Sequence, residues 1–245
     1  MTDDFIPQDE ALAHRVAPPQ LELIVGRLGP LAAMGLSSRR TLALLAPGAE
    51  EKASASGASG LMELAAWDPA IAANILTAAA KIGDAKNGDA TLFSSVENRV
   101  VSPLLAGSIA EAMDSLGPQT VRTLALGALG RRWPGGAQSA GPWNRQEFWR
   151  HCIAVARAAE MLAQEAALPL APDEARTWGL LHDLGKLGML QAMPKSLLRL
   201  LEALSAEGGG DLSAREQEGL GVDHALFGRR MAQRWRFSEE LQEVI

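Results

Sequence analysis

The stretch 180-LLHDLGKLGML-190 places His182 and Asp183 side by side inside an otherwise apolar run, with Gly185 and Lys186 close behind. An imidazole nitrogen and a carboxylate oxygen are both good ligands for a divalent ion such as Zn, Fe or Mn. If the run is one helix, Lys186 returns to the face of His182 four residues earlier, where its ammonium can hold a phosphate. With four His and eleven Asp in 245 residues, a His-Asp pair arises by chance in roughly one such chain in five. Requiring Gly at +3 and Lys at +4 as well lowers that chance below ~10⁻³. The five-residue pattern is therefore a signal, and the dipeptide alone is not.

Around this stretch the chain reads as helix-forming. Ala and Leu dominate, β-branched residues are sparse, Tyr is absent and aromatic residues make up only 4%, so an all-α protein is expected. A hydrophobic share of 47% over 245 residues suffices for the core of one large domain or two small ones. The net charge of −6 and pI near 5.3 argue against an extended nucleic-acid or anionic-membrane surface. No uncharged apolar run is long enough to span a bilayer, and MTDDFIPQDEALAH at the start lacks the pattern of a signal peptide. One cysteine, Cys152, excludes an intramolecular disulfide framework and suits a reducing cytoplasm. A cytoplasmic location is expected.

Upstream, residues 1–17 form an N-terminal arm ended by Pro18-Pro19. Residues 18–130 read as an N-terminal helical subdomain with helices over 21–28 and 38–46. The small, polar stretch 48–60 is a loop, since it lacks the spacing and the preceding strand of a phosphate-binding one. Asp68-Pro69 is a strong helix start, with Asp as N-cap and Pro at the first helical position. The helix 69–81 then buries Ile71, Ile75 and Leu76, and Gly83-Asp84 with 86-KNGD-89 predicts a break. Ser102-Pro103 opens a further helical run, within which Ser108 and Glu111 have capping-box spacing. A helix over 119–129 follows, its apolar face Val121, Leu124, Leu126 and Leu129. These positions read as core. Residues 131–143, rich in Gly, Pro and Ser, form a linker.

Downstream, 144–245 makes a second helical subdomain. Asn144 with Glu147 opens the helix 145–166, whose buried stripe is Phe148, Cys152, Val155 or Ala156, Ala159, and Leu162 or Ala163. His151 sits beside that stripe. Asp173 can cap a helix over 174–186 in which Gly179 permits close approach to a neighbour, while Gly185 and Gly188 weaken or end it. Pro194 starts another helix, Gly208-Gly209-Gly210 breaks it, and 213–237 supplies further elements. Ser238 caps a last helix with no C-terminal signal before Ile245, so the domain is expected to continue further.

The motifs 68-DPAIAANIL-76, 108-SIAEAMDSLGPQTVRTLAL-126, 149-WRHCIAVA-156, 180-LLHDLGKLGML-190 and 223-DHALFGRRMAQRWRFSEEL-241 stand in this order along the chain. Together they resemble the HDOD family over roughly residues 18–245. These are the HD-related output domains of bacterial signalling proteins, a divergent branch of the HD metal-dependent phosphohydrolase superfamily. The resemblance implies a multi-helix fold in which the N-terminal helical subdomain packs on an HD-like one. It also implies a divalent-metal pocket (Fe, Mn, Zn or Mg) drawing on His151, His182, Asp183 and His224, with Glu147 and Asp223 as candidates to orient the imidazoles. The later carboxylate of metal-active relatives, and the His pair that often precedes it, would fall after residue 245. Where family members carry Asn-Ser after the DP helix, this chain has Ala80-Lys81.

Two functions follow from the resemblance. One is a regulatory, non-hydrolytic signalling module, its pocket holding a metal, an anion or nothing, that acts on a signalling protein or an attached C-terminal output domain, with a homodimer and a nucleotide ligand compatible with it. The other is a metal-dependent phosphohydrolase or phosphodiesterase on a nucleotide or cyclic dinucleotide, in which Asp183 orients the metal or its water and Lys186 steadies the phosphate. The shortage of oxygen ligands favours the first. A third reading rests on 229-RRMAQRWR-236 as a basic, aromatic nucleic-acid patch. A solvated arginine face with Trp235 in the core is the simpler account of that stretch.

Overall fold

The computed structural model describes residues 15–34, 67–85, 107–131, 142–166 and 169–245. The readings at 1–14, 38–46, 48–60, 86–89 and 102–103, and most of the 131–143 linker, lie outside these residues. The described residues are helical with no strand, as the composition predicts.

The N-terminal part is organised by the Asp-Pro helix. α1 (Pro18–Arg27) starts on its prolines, and the Gln20 side chain accepts from Ala17 N–H at 2.9 Å. It buries Leu21 and Val25. α2 (Pro69–Ala85) is capped by Asp68, whose Oδ1 accepts from Ala70 and Ile71 N–H at 3.0 and 3.1 Å. The other oxygen of Asp68 accepts from Met34 N–H at 2.8 Å. Further along α2, Asn74 accepts from Leu31 N–H at 2.8 Å and donates to Leu31 O at 2.9 Å. Two buried polar side chains thus clamp the segment 31–34 onto the helix and satisfy backbone groups that would otherwise be orphaned in the core. Ile71, Ile75 and Leu76 are buried as predicted. The helix does not break at Gly83 but runs to Ala85, a single glycine costing only ~1 kcal/mol in an otherwise alanine-rich helix. Ala80-Lys81 consequently lies within a helix, not at a turn.

α3 (Ile109–Leu116) is capped as expected, with Ser108 Oγ accepting from Glu111 N–H at 3.2 Å and Glu111 reaching back to Gly107 N–H at 3.0 Å. Gly117, at φ +75°, turns the chain into α4 (Pro118–Leu129). The α4 face differs from the predicted one. Val121, Ala125 and Ala128 are buried, whereas Leu126 is 44% exposed. Small alanines line the contact because backbone approaches closely there: Ala33 N–H donates to Ala128 O at 3.0 Å.

In the C-terminal part, α5 (Arg145–Glu165) and α6 (Pro172–Leu181) form the most extensive helix pair. A Cβ at Gly179 would meet Ala156 Cα and Val155 O at 2.8 Å, so this glycine sets the closeness of the pair. The buried stripe of α5 is narrow: Cys152, Ala156 and Ala163, with Phe148 and Ala159 half-buried and Leu162 exposed. α6 begins at Pro172, with Glu174 capping Ala171 N–H at 3.2 Å, so Asp173 is not the cap and pairs with Arg176 instead. The continuous helix expected over 174–186 is interrupted at His182-Asp183, after which α7 (Leu184–Ala192) begins.

α8 (Pro194–Ala206), α9 (Leu212–Leu220), α10 (His224–Arg234) and α11 (Glu239–Val244) complete the described chain. Gly185 and Gly188 do not end a helix. They lie within α7 where α10 crosses it: a Cβ on Gly185 would stand 1.8 Å from His224 O, and one on Gly188 2.0 Å from Met231 Sδ. α1 packs on α10 and α7, and α2 on α6 and α7, so the N-terminal part sits on the C-terminal part through one shared core. Trp235 is buried while Arg229, Arg230, Arg234 and Arg236 are exposed, as in the solvated-face reading. No described helix is long and apolar enough to cross a membrane.

Candidate metal centre

The break between α6 and α7 creates the site. His182 Nδ1 lies 2.8 Å from Gly179 O. Since a carbonyl only accepts, Nδ1 carries a proton, and Nε2 is left to face His151 and Asp183. Asp183 occupies the N-cap position of α7, its backbone oxygen accepting from Lys186 N–H at 3.0 Å. This two-residue turn aims both side chains at α5, where His151 is waiting. His151 Nε2 is 3.0 Å from His182 Nε2 and 3.3 Å from Asp183 Oδ2, and His182 Nε2 is 3.4 Å from the same oxygen. Those separations match ligands that each stand about 2.0–2.2 Å from one ion. The three residues are the described group with metal-holding geometry. They span exposure from 52% for the His151 side chain to 8% for Asp183, so the cluster has one open side and a buried floor.

Lys186 lies closer to Asp183 than either imidazole does, with Nζ 2.7 Å from Oδ2. Burial alone would raise the Asp183 pKa, but hydrogen bonds from His182 and Lys186 and their charges hold the carboxyl well below the usual range. Burial likewise works to lower His182, and the hydrogen bond and charge of Asp183 overcome it and leave His182 above its ordinary value. Cys152, beneath the cluster on α5, is pushed up to about 12, first by burial and then by the Asp183 charge. It is a protonated thiol at neutral pH and stands outside the three-residue group.

His224, at the start of α10, faces the cluster from the other side, Nε2 lying 3.8 Å from Asp183 Oδ1. The structure therefore brings together His151, His182, Asp183, Lys186 and His224, with His224 the most distant from the three-residue core. The residues expected to orient the imidazoles do something else. Glu147 pairs with Arg150 at 2.9 Å, and Asp223 caps α10 by accepting from Leu226 N–H at 2.8 Å. The partner of His224 is Glu216, whose Oε2 is 2.5 Å from His224 Nδ1 and 2.8 Å from His224 N. The signal for Glu216 was available: Leu212, Glu216 and Leu220 recur at four-residue spacing, so this glutamate stands on the apolar stripe of α9.

The HDOD domain model matches residues 102–245, more than half of the chain. The chain belongs to the HDOD family. Among solved structures it is similar to the MmoQ response regulator from Methylococcus capsulatus str. Bath, at 24% identity with a TM-score of 0.61 over 88% of this chain and 74% of that one. A fragment of that regulator gives 25% identity and a TM-score of 0.60 over 87% and 71% of the two chains. A virulence factor from Campylobacter jejuni subsp. jejuni gives 20% identity and a TM-score of 0.58 over 91% and 72%. The likenesses under 25% identity establish the fold. No curated protein matches the chain.

Proposed function

We infer that this HDOD domain is a regulatory signalling module with a metal-capable pocket, and that the pocket does not hydrolyse phosphoesters. One observation carries the reading. Asp183 is the single carboxylate of the three-residue cluster, and the oxygen it turns to the two imidazoles is also held by Lys186. Two imidazoles and one shared carboxylate can hold a divalent ion, but a two-metal hydrolytic centre needs more oxygen ligands. His151, His182 and Asp183 would hold the ion, and His224 would approach it as a further ligand. When bound, a divalent ion supplies Lewis acidity and tethers helix α5 to the α6–α7 turn. The likeness to a protein described as a response regulator supports a signalling context, with a partner protein or attached domain as the recipient and the cytoplasm as the location.

The second reading, a metal-dependent phosphohydrolase, draws on Lys186 beside the cluster and His224 across from it. Lys186 is placed to neutralise a phosphate, and His224 to help hold a second ion. One experiment separates the two: metal content and turnover of a cyclic dinucleotide and of bis(p-nitrophenyl) phosphate, with Mn or Fe(II) supplied, for wild type and His182→Ala. The regulatory reading expects near-stoichiometric metal that His182→Ala loses, and no turnover above that of the variant. Metal-dependent turnover that disappears in His182→Ala overturns it.

A further inference from the structure

Glu216 is the most completely buried ionisable side chain described, at 0% exposure. A buried carboxylate is costly unless paired and hydrogen-bonded. Only Oε2 has partners, the ring Nδ1 and the backbone N–H of His224; Oε1 has none. Capping accounts for one of these contacts, to the His224 N–H at the start of α10 beside the Asp223 cap on Leu226 N–H, but not for the contact to the ring. Gly221, left-handed at φ +78°, closes α9 and folds the chain back so that Glu216 reaches a residue eight positions later. What Glu216 gains there is control of one imidazole. An acceptor at Nδ1 keeps the proton on that nitrogen, so the lone pair resides on Nε2, the atom that faces Asp183.

We propose that Glu216 is a positioning residue for the pocket: it fixes His224 as the Nδ1–H tautomer with Nε2 directed at Asp183 Oδ1, so that His224 serves as a further ligand on that side of the cluster. This rests on the metal-capable reading above for its ligand role, but not for its tautomer. A carboxylate behind a ligating imidazole orients the ring and raises its basicity, and its loss costs about 10–100-fold in metal affinity.

The test has two arms on the full chain. Long-range ¹H–¹⁵N correlation spectra of the metal-free protein at pH 8, with His224 assigned by His224→Ala, read the tautomer directly. A proton on Nδ1 and a bare Nε2 are expected; a proton on Nε2, or on both nitrogens, overturns the proposal. Co(II) titration followed by absorption then compares wild type, Glu216→Ala, Glu216→Gln and His224→Ala. Glu216→Ala and His224→Ala should each bind about 10–100-fold more weakly, and Glu216→Gln, which keeps an acceptor opposite Nδ1, should lie near wild type. Unchanged affinity in His224→Ala, or a loss in His224→Ala that Glu216→Ala does not share, overturns the positioning role. If wild type binds no Co(II), the metal reading fails and the ligand role falls with it, while the tautomer spectrum still decides whether Glu216 sets His224. Should Glu216→Ala fail to fold, Glu216→Gln and the wild-type spectrum still report.

Discussion

At the scale of single residues, the centre combines a strongly stabilised carboxylate with a buried, suppressed thiol that feels its charge. Asp183 ionises more readily in the folded chain than in the unfolded one. Its stabilisation is therefore complete above the ordinary carboxylate range and is lost as pH falls through that range toward the folded value. Asp183→Asn should cost roughly 1.5–3 kcal/mol at neutral pH and flatten the acid side of the stability profile, as measured by urea midpoints from neutral pH downward. A variant profile parallel to wild type would contradict this account. Cys152 behaves in the opposite sense. Its folded pKa is raised to about 12, so as pH climbs past the ordinary thiol value the unfolded chain ionises first and stability declines across the window up to about 12. At pH 8 the native protein should leave a thiol reagent unreacted, and denaturant should release one reactive thiol per chain.

At the scale of elements, the contact between α7 and α10 sets the distance of His224 from the cluster. Gly185 faces backbone, the His224 carbonyl and Gly228 N, whereas Gly188 faces the Met231 side chain and the Phe227 ring. A thioether can move and a helix backbone cannot without shifting the whole element. Gly185→Ala should therefore destabilise by about 3 kcal/mol or more, and Gly188→Ala by about 1–3 kcal/mol, with Gly185→Ala also weakening metal binding because it displaces His224. Denaturation of both variants beside a Co(II) titration checks the order. On the N-terminal side, Asp68 caps α2 and holds Met34 N–H at once. Asp68→Ala removes a cap and leaves a buried donor unpaired, a loss of roughly 2–4 kcal/mol readable as a lowered urea midpoint.

At the scale of the whole molecule, the centre ties distant parts of the chain together. His151 comes from α5, His182 and Asp183 from the α6–α7 turn, and His224 from α10. An ion bound only by this assembled state stabilises the fold by mass action, about 2.7 kcal/mol at a hundredfold excess over Kd. Thermal unfolding of wild type should therefore shift upward with added Mn or Zn, and His151→Ala and His182→Ala should abolish the shift. A shift that survives both substitutions would place the ion elsewhere. α1 and α2 pack on the same helices that carry the site, so an ion that tightens the centre acts on helices that also contact the N-terminal part.

Much of this molecule is written locally. Composition determines that it is helical, Asp68, Ser108, Asn144 and Ser238 announce their helices through side-chain oxygens aimed at the next turn, and the His-Asp-x-Gly-Lys pattern marks the site. Such features depend on residues within a few positions of one another, so a linear reading reaches them. What the tertiary structure decided depends on residues far apart in the chain. The helix stops at Leu181 because His182 turns its ring back onto Gly179 and frees the pair to face His151. Gly185 and Gly188 are small because α10 crosses them, and Leu126 is exposed because α4 turns Ala125 and Ala128 inward, where Ala128 O accepts from Ala33 N–H. Glu216 acquires its meaning only where α9 and α10 converge, since a buried carboxylate is chosen by the imidazole it faces and not by its neighbours in sequence.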